Sequence, residues 1–78
     1  MLHWYENHLL VEGREFVVKG TFDGLTVNIS VNDKILFTKS SSGLTYNDIT
    51  NEDIYQRYGA KVIKIEQKIP EFIKAGKI

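Results

Sequence analysis

Between Arg14 and Lys39 the chain alternates apolar and polar residues with period two, the pattern of strands that bury one face and wet the other. Leu25, Val27, Ile29 and Val31 interleave with Thr26, Asn28 and Ser30 without a break. The run before them, Arg14 to Phe22, is joined to them by Asp23-Gly24, a pair that suits the positive φ of a tight hairpin turn. A two-residue turn sets Phe22 opposite Leu25, Gly20 opposite Val27, Val18 opposite Ile29 and Phe16 opposite Val31. The apolar sets then coincide, and a slip of one residue would turn either set to solvent.

The pattern extends in both directions. Glu12-Gly13 predicts a hairpin that pairs His8–Val11 with Arg14–Val17, setting Val11 across from Arg14 and Leu9 across from Phe16. Trp4 and Tyr5 either extend this strand through a bend or form an arm folded over the sheet. Asn32-Asp33 predicts another turn, leading into the β-forming run Lys34–Lys39. A two-residue turn there places Leu36 on the Ile29 face and turns Ile35 and Phe37 away; a three-residue turn reverses this. With Val17 also pointing away from Phe16 and Val18, the second face needs a cover, from a helix or from curling of the sheet.

In the C-terminal half the period changes. Residues 39 to 43 (Lys-Ser-Ser-Ser-Gly) read as a surface loop, because a phosphate-binding loop requires a helix to begin directly after it and Leu44 to Ile49 intervene. Thr50 and Asp53 form a capping box with Ile49 and Ile54 at staple spacing, predicting a helix over residues 51–58 that stops at Gly59. Residues 60–69 read as a last strand, with Ile63, Ile65 and Ile69 on one face and Lys64, Glu66 and Lys68 on the other. Pro70 ends it and opens a helical tail over residues 71–75, anchored by Phe72 and Ile73 and stopped by Gly76. The expected fold is one domain over residues 1–78, α+β and mainly β. It is an antiparallel meander of about five strands, curled into an SH3-like barrel or left open, with the short helix before the last strand.

Composition narrows the function classes. Of the 78 residues 42% are hydrophobic and 26% charged, with one proline, which fits a folded domain rather than a disordered chain. No cysteine is present, so disulfides and thiolate zinc sites are excluded and a reducing, cytoplasmic setting is expected. No apolar run reaches the roughly 18 residues of a bilayer span. The charges balance at ten against ten, yet from Lys61 onward five lysines face only Glu66 and Glu71. The abundance of Ile, Lys and Asn suggests AT-rich coding, as in a low-GC bacterium or its phage.

Candidate chemistry is sparse. His3, Glu6 and His8 are the one conceivable metal cluster, but on a regular strand His3 points to the opposite face from the other two. The serines at 40 to 42 lack an oriented base, and Asp48, Glu52 and Asp53 are accounted for by capping and the helix dipole. No nucleotide-binding or nucleophile motif occurs, so neither catalysis nor a cofactor or metal is expected. The aromatics Trp4, Tyr5, Tyr46, Tyr55 and Tyr58, with Arg57, exceed what so small a core requires, and such residues dominate interface energetics. The sequence therefore predicts a small non-enzymatic module that binds a larger protein, such as a phage-encoded inhibitor or accessory factor, with homo-oligomerisation left open. The alternative is a nucleic-acid-binding barrel that uses Lys61, Lys64, Lys68 and Lys74 beside a tyrosine platform. Glu66 counts against it, because on a strand it shares a face with Lys64 and Lys68.

Overall fold

The computed structural model describes residues 1–40 and 49–78. Four strands, β1 (Leu2–Val11), β2 (Arg14–Phe22), β3 (Thr26–Val31) and β4 (Lys34–Ser40), pair in chain order as one antiparallel sheet, and the helices α1 (Asn51–Gln67) and α2 (Ile69–Lys74) follow. The architecture is a small α+β fold. Among the described residues there is no fifth strand, the sheet stays open rather than closing into a barrel, and the helices come after the last strand instead of before it. The expected loop at 39–43 lies outside the described residues from position 41 onward, while Lys39 and Ser40 complete β4.

The first and third hairpins follow the turn chemistry. Glu12 (φ 53°) and Gly13 (φ 77°), and again Asn32 (φ 48°) and Asp33 (φ 67°), hold the two positive φ values of the turn whose twist matches the flanking strands. Val11 pairs with Arg14 and Leu9 with Phe16, as the pattern predicts. The middle hairpin differs. Asp23 Oδ1 accepts from the Leu25 and Thr26 amides at 2.9 and 2.7 Å, and the Asp23 amide donates to the Thr26 carbonyl at 3.3 Å. This Asx turn widens the connection, so Phe22 pairs with Val27, Gly20 with Ile29 and Val18 with Val31. The register moves by two residues, which preserves every facing, and only Leu25 is given up to solvent, 77% exposed.

Strand β4 combines both alternatives for its facing. Its turn has two residues, but between Ser30–Ile35 and Ile29–Phe37 the register skips Leu36, and this bulge brings Phe37 round to the Ile29 face. Lys39, opposite Val27, shares that face. A second bulge lies in β1, where pairing passes from His3–Thr21 to Tyr5–Gly20 and leaves Trp4 out of register. Both edge strands thus carry a bulge, and both carry charged side chains, which discourages pairing with further strands.

The largest correction concerns residues 59–67, which continue α1 instead of forming a strand. Ile54, Val62, Ile65 and Ile69 are buried and Tyr58 is half-buried, at spacings of four, four, three and four, so one helical stripe meets the sheet. Ile63, placed in the core by the strand reading, is 44% exposed. Gly59 does not stop the helix; it lies buried under the Tyr55 ring, where a Cβ would come within 3.0–3.2 Å of the ring atoms. The helix starts as expected, with Thr50 Oγ1 accepting from the Asp53 amide at 3.2 Å and the Asp53 carboxylate accepting from the Thr50 amide at 3.0 Å. The tail is α2, with Pro70 in its first turn and Gly76 (φ 70°) just beyond its end. The core is the inner face of the sheet, Phe16, Val18, Phe22, Val27, Ile29 and Val31 with Trp4, closed by the α1 stripe. No helix of the described residues is long and apolar enough to cross a membrane.

Candidate functional site

The aromatic residues meet, but mostly inside the fold. Trp4 is 4% exposed, and its ring lies tilted against Tyr5 (6.1 Å between centroids, 47°) and Tyr58 (6.4 Å, 47°). Tyr5 stacks on Tyr55 (5.8 Å, 17°), and Tyr58 continues the series to Phe37 (6.4 Å, 51°). The rings run from β1 through the helix contact to β4 and act mainly as packing between α1 and the sheet. Tyr55 keeps 40% of its surface exposed and Arg57 is exposed, whereas Tyr46 lies outside the described residues. Trp4 Nε1 is buried and finds no hydrogen-bond partner among the described residues.

Glu66 closes this packing on the β1 side. Its Oε2 accepts from the Tyr5 hydroxyl at 2.7 Å and from Asn7 Nδ2 at 2.8 Å, joining segments about sixty residues apart in the chain. Burial, and then the bond to the Glu66 carboxylate, push the Tyr5 hydroxyl up to about 12.

That placement changes the reading of the lysines. As a helix, α1 sets Arg57, Lys61 and Lys64 at i, i+4 and i+7, and Lys68, the C-cap residue just beyond its end, follows at i+11, a row roughly 16 Å long at 1.5 Å per residue. Glu66 is two residues from Lys64, about 200° round the helix, and is engaged by β1. All four cations are exposed, and none forms an ion pair among the described residues. Asp53, one turn before Arg57, is occupied with Thr50, whose amide and hydroxyl hold its carboxyl below the usual carboxylate range, with Arg57 adding a smaller pull. Lys61 fixes the direction of the flank: its Nζ stands 5.2 Å from the centre of the Phe37 ring, so the row faces β4. Lys74 lies on α2, outside the row. Arg57 was grouped with the aromatics on sequence grounds; the helical spacing of Ile54, Tyr58, Val62 and Ile65 is the signal that places it with the lysines.

The outer face of the sheet offers less. A shallow groove of about 380 Å³ is lined by Glu6, His8, Val17, Lys19, Asn32 and Asp33. Its polar groups pair with each other: His8 Nε2 with Glu6 Oε2 at 3.0 Å, Lys19 Nζ with Asp33 Oδ1 at 3.9 Å, and Asn32 Oδ1 with the Val17 amide at 2.9 Å. The His8 contact holds the Glu6 carboxyl below its ordinary range. The β1 bulge places His3, opposite Thr21, on the same face as Glu6 and His8, correcting the alternation expected of a regular strand. Even so, no group of three His, Asp or Glu side chains among the described residues is arranged to hold a metal ion.

The coherent chemical feature is therefore the unpaired basic flank of α1. No family model matches the chain, and neither a curated protein nor a solved structure matches it.

Proposed function

We propose that the protein is a small non-enzymatic module that binds nucleic acid along the Arg57–Lys61–Lys64–Lys68 flank of α1. The observation that carries this reading is the row itself, three cations on one side of α1 and a fourth at its C-cap, without carboxylate partners among the described residues. Cations held in a row along a packed element neutralise successive phosphates, and the released counterions drive association. The two grounds for preferring a protein partner are weaker in the folded chain. Glu66 no longer dilutes the row, and most of the aromatic patch is consumed by packing.

The test is fluorescence anisotropy of a labelled oligonucleotide at low salt, comparing the protein with Arg57→Glu/Lys64→Glu and with the outer-face control Lys19→Gln. The reading expects binding that the charge reversal removes and the control leaves in place. Absence of binding at low salt contradicts it.

A second reading, capture of a larger protein as an inhibitor or accessory factor would do, is favoured by the exposure of Tyr55 and Ile63 on α1. It expects Ile63→Glu to abolish partner capture while leaving oligonucleotide affinity, if any, unchanged.

A further inference from the structure

We infer that the ligand is single-stranded nucleic acid and that it runs in the seam between α1 and the edge strand β4, with Phe37 as a base-stacking surface. The inference rests on the binding reading above and adds to it the form of the ligand and its path. Three observations carry it.

The first is direction. The Lys61 contact with Phe37 turns the cationic row towards β4, away from the outward crest of the helix. A duplex admits a helix by taking its crest into the major groove. The crest of α1 carries the exposed Gln56, Ala60, Ile63 and Gln67, and so presents no cation row to the phosphates that wall a groove. A single strand is thin enough to follow the flank instead.

The second is charge on the opposite wall. The β4 bulge puts Lys39 on the same face as Phe37, and Lys34, paired with Val31, also falls on the inner side of the sheet. Both are exposed and neither is ion-paired among the described residues. The seam therefore has cations on both sides, which is how a groove tracks a flexible phosphate backbone.

The third is the ring between them. Phe37 is half-buried, packed on Tyr58 from below and covered by the Lys61 ammonium. A phosphate draws that ammonium aside, and the ring face then stands free for a base; stacking of this kind tolerates any base because each has a π face. The bulge that skips Leu36 is the element responsible, since without it Phe37 and Lys39 would both point to the outer side.

The experiment measures anisotropy of a fluorescein-labelled oligo(dT) of about 20 nucleotides and of a mixed-sequence duplex of equal length. The full chain is compared with Lys39→Glu, Phe37→Leu and Arg57→Glu/Lys64→Glu, each checked for folding by circular dichroism. Lys39→Glu is an exposed change that keeps the test open if Phe37→Leu fails to fold. The inference expects oligo(dT) to bind at least about tenfold tighter than the duplex, and both Lys39→Glu and Phe37→Leu to weaken it about fivefold or more. Equal or tighter duplex binding overturns the inference. So does full retention of oligo(dT) affinity in a folded Lys39→Glu; in either case, loss of binding in Arg57→Glu/Lys64→Glu shows that the row itself still binds. Binding of polyglutamate as tightly as oligo(dT) also overturns it, in favour of an acidic protein surface. Absence of binding to both oligonucleotides removes the binding reading and this inference with it.

Discussion

The indole of Trp4 lies over Gly20 so closely that a Cβ at position 20 would fall within the space of the ring. Trp4 sits at the β1 bulge, and Gly20 is the one inner-face position of β2 without a side chain between the buried Val18 and Phe22. A glycine inside a strand commonly marks such an approach, and here the ring fills the layer that a side chain would otherwise occupy.

Gly20→Ala should therefore act as an overpacking mutation. The methyl must push the indole outward or shift β1, at a cost of about 1–3 kcal/mol, and the Trp4 emission should move to the red as the ring gains water. Urea unfolding followed by tryptophan fluorescence reads both effects. An unchanged midpoint would mean that Trp4 does not rest on Gly20.

The helical state of residues 59–67 is tested by a pair of substitutions with opposite expectations. Ile65→Ala should cost about 2–5 kcal/mol, because Ile65 closes the core, whereas Ile63→Glu should stay within about 0.5 kcal/mol on an exposed helix position. Had the segment been a strand, both isoleucines would share the buried face and both changes would be severe.

These two cases show what could be read along the chain. Turn residues at Glu12-Gly13 and Asn32-Asp33 have one good use each, so the hairpins follow from local chemistry, as does the Thr50–Asp53 capping box. Residues 60–69 carry two periodicities at once. Alternation of Ile63, Ile65 and Ile69 with lysines looks like a strand, but the four-four-three-four spacing that begins at Ile54 runs straight through Gly59 and is satisfied by burial against the sheet. Packing decided between them. The bulges at Trp4 and Leu36 leave no local signal, since each depends on how a ring fits against the neighbouring strand, and with them went the facing of His3, Phe37 and Lys39. The basic row could be read only once the helix was known, because a change of period reassigns every partner of Glu66.

Thr50→Ala should lower stability by about 1 kcal/mol, since the Thr50 hydroxyl is the acceptor for the Asp53 amide at the start of α1. Thermal unfolding monitored at a helical wavelength measures it, and an unaltered transition would place the helix start elsewhere.

Burial of the Tyr5 hydroxyl, together with its bond to Glu66, gives the fold an alkaline dependence. The folded state holds the Tyr5 proton to about 12 and the unfolded chain releases it near 10, so between these values the unfolded state binds fewer protons and stability falls as pH rises. The contribution is complete below about pH 10 and lost through about pH 12. Tyr5→Phe removes this component: its denaturant midpoint should decline less than that of the unmodified protein over the same interval. Parallel declines would contradict a Tyr5 hydroxyl held protonated by burial and Glu66.

If the basic flank of α1 acts as a phosphate-binding row, oligonucleotide affinity must fall as salt rises. If Arg57, Lys61, Lys64 and Lys68 each neutralise a phosphate, the logarithm of the association constant should fall linearly with the logarithm of salt, with a slope of about −3 on a single strand. Arg57→Glu/Lys64→Glu should flatten that slope by at least about half along with the loss of affinity. A slope near zero, or one that survives the double charge reversal unchanged, would contradict the assignment of α1 as the binding element.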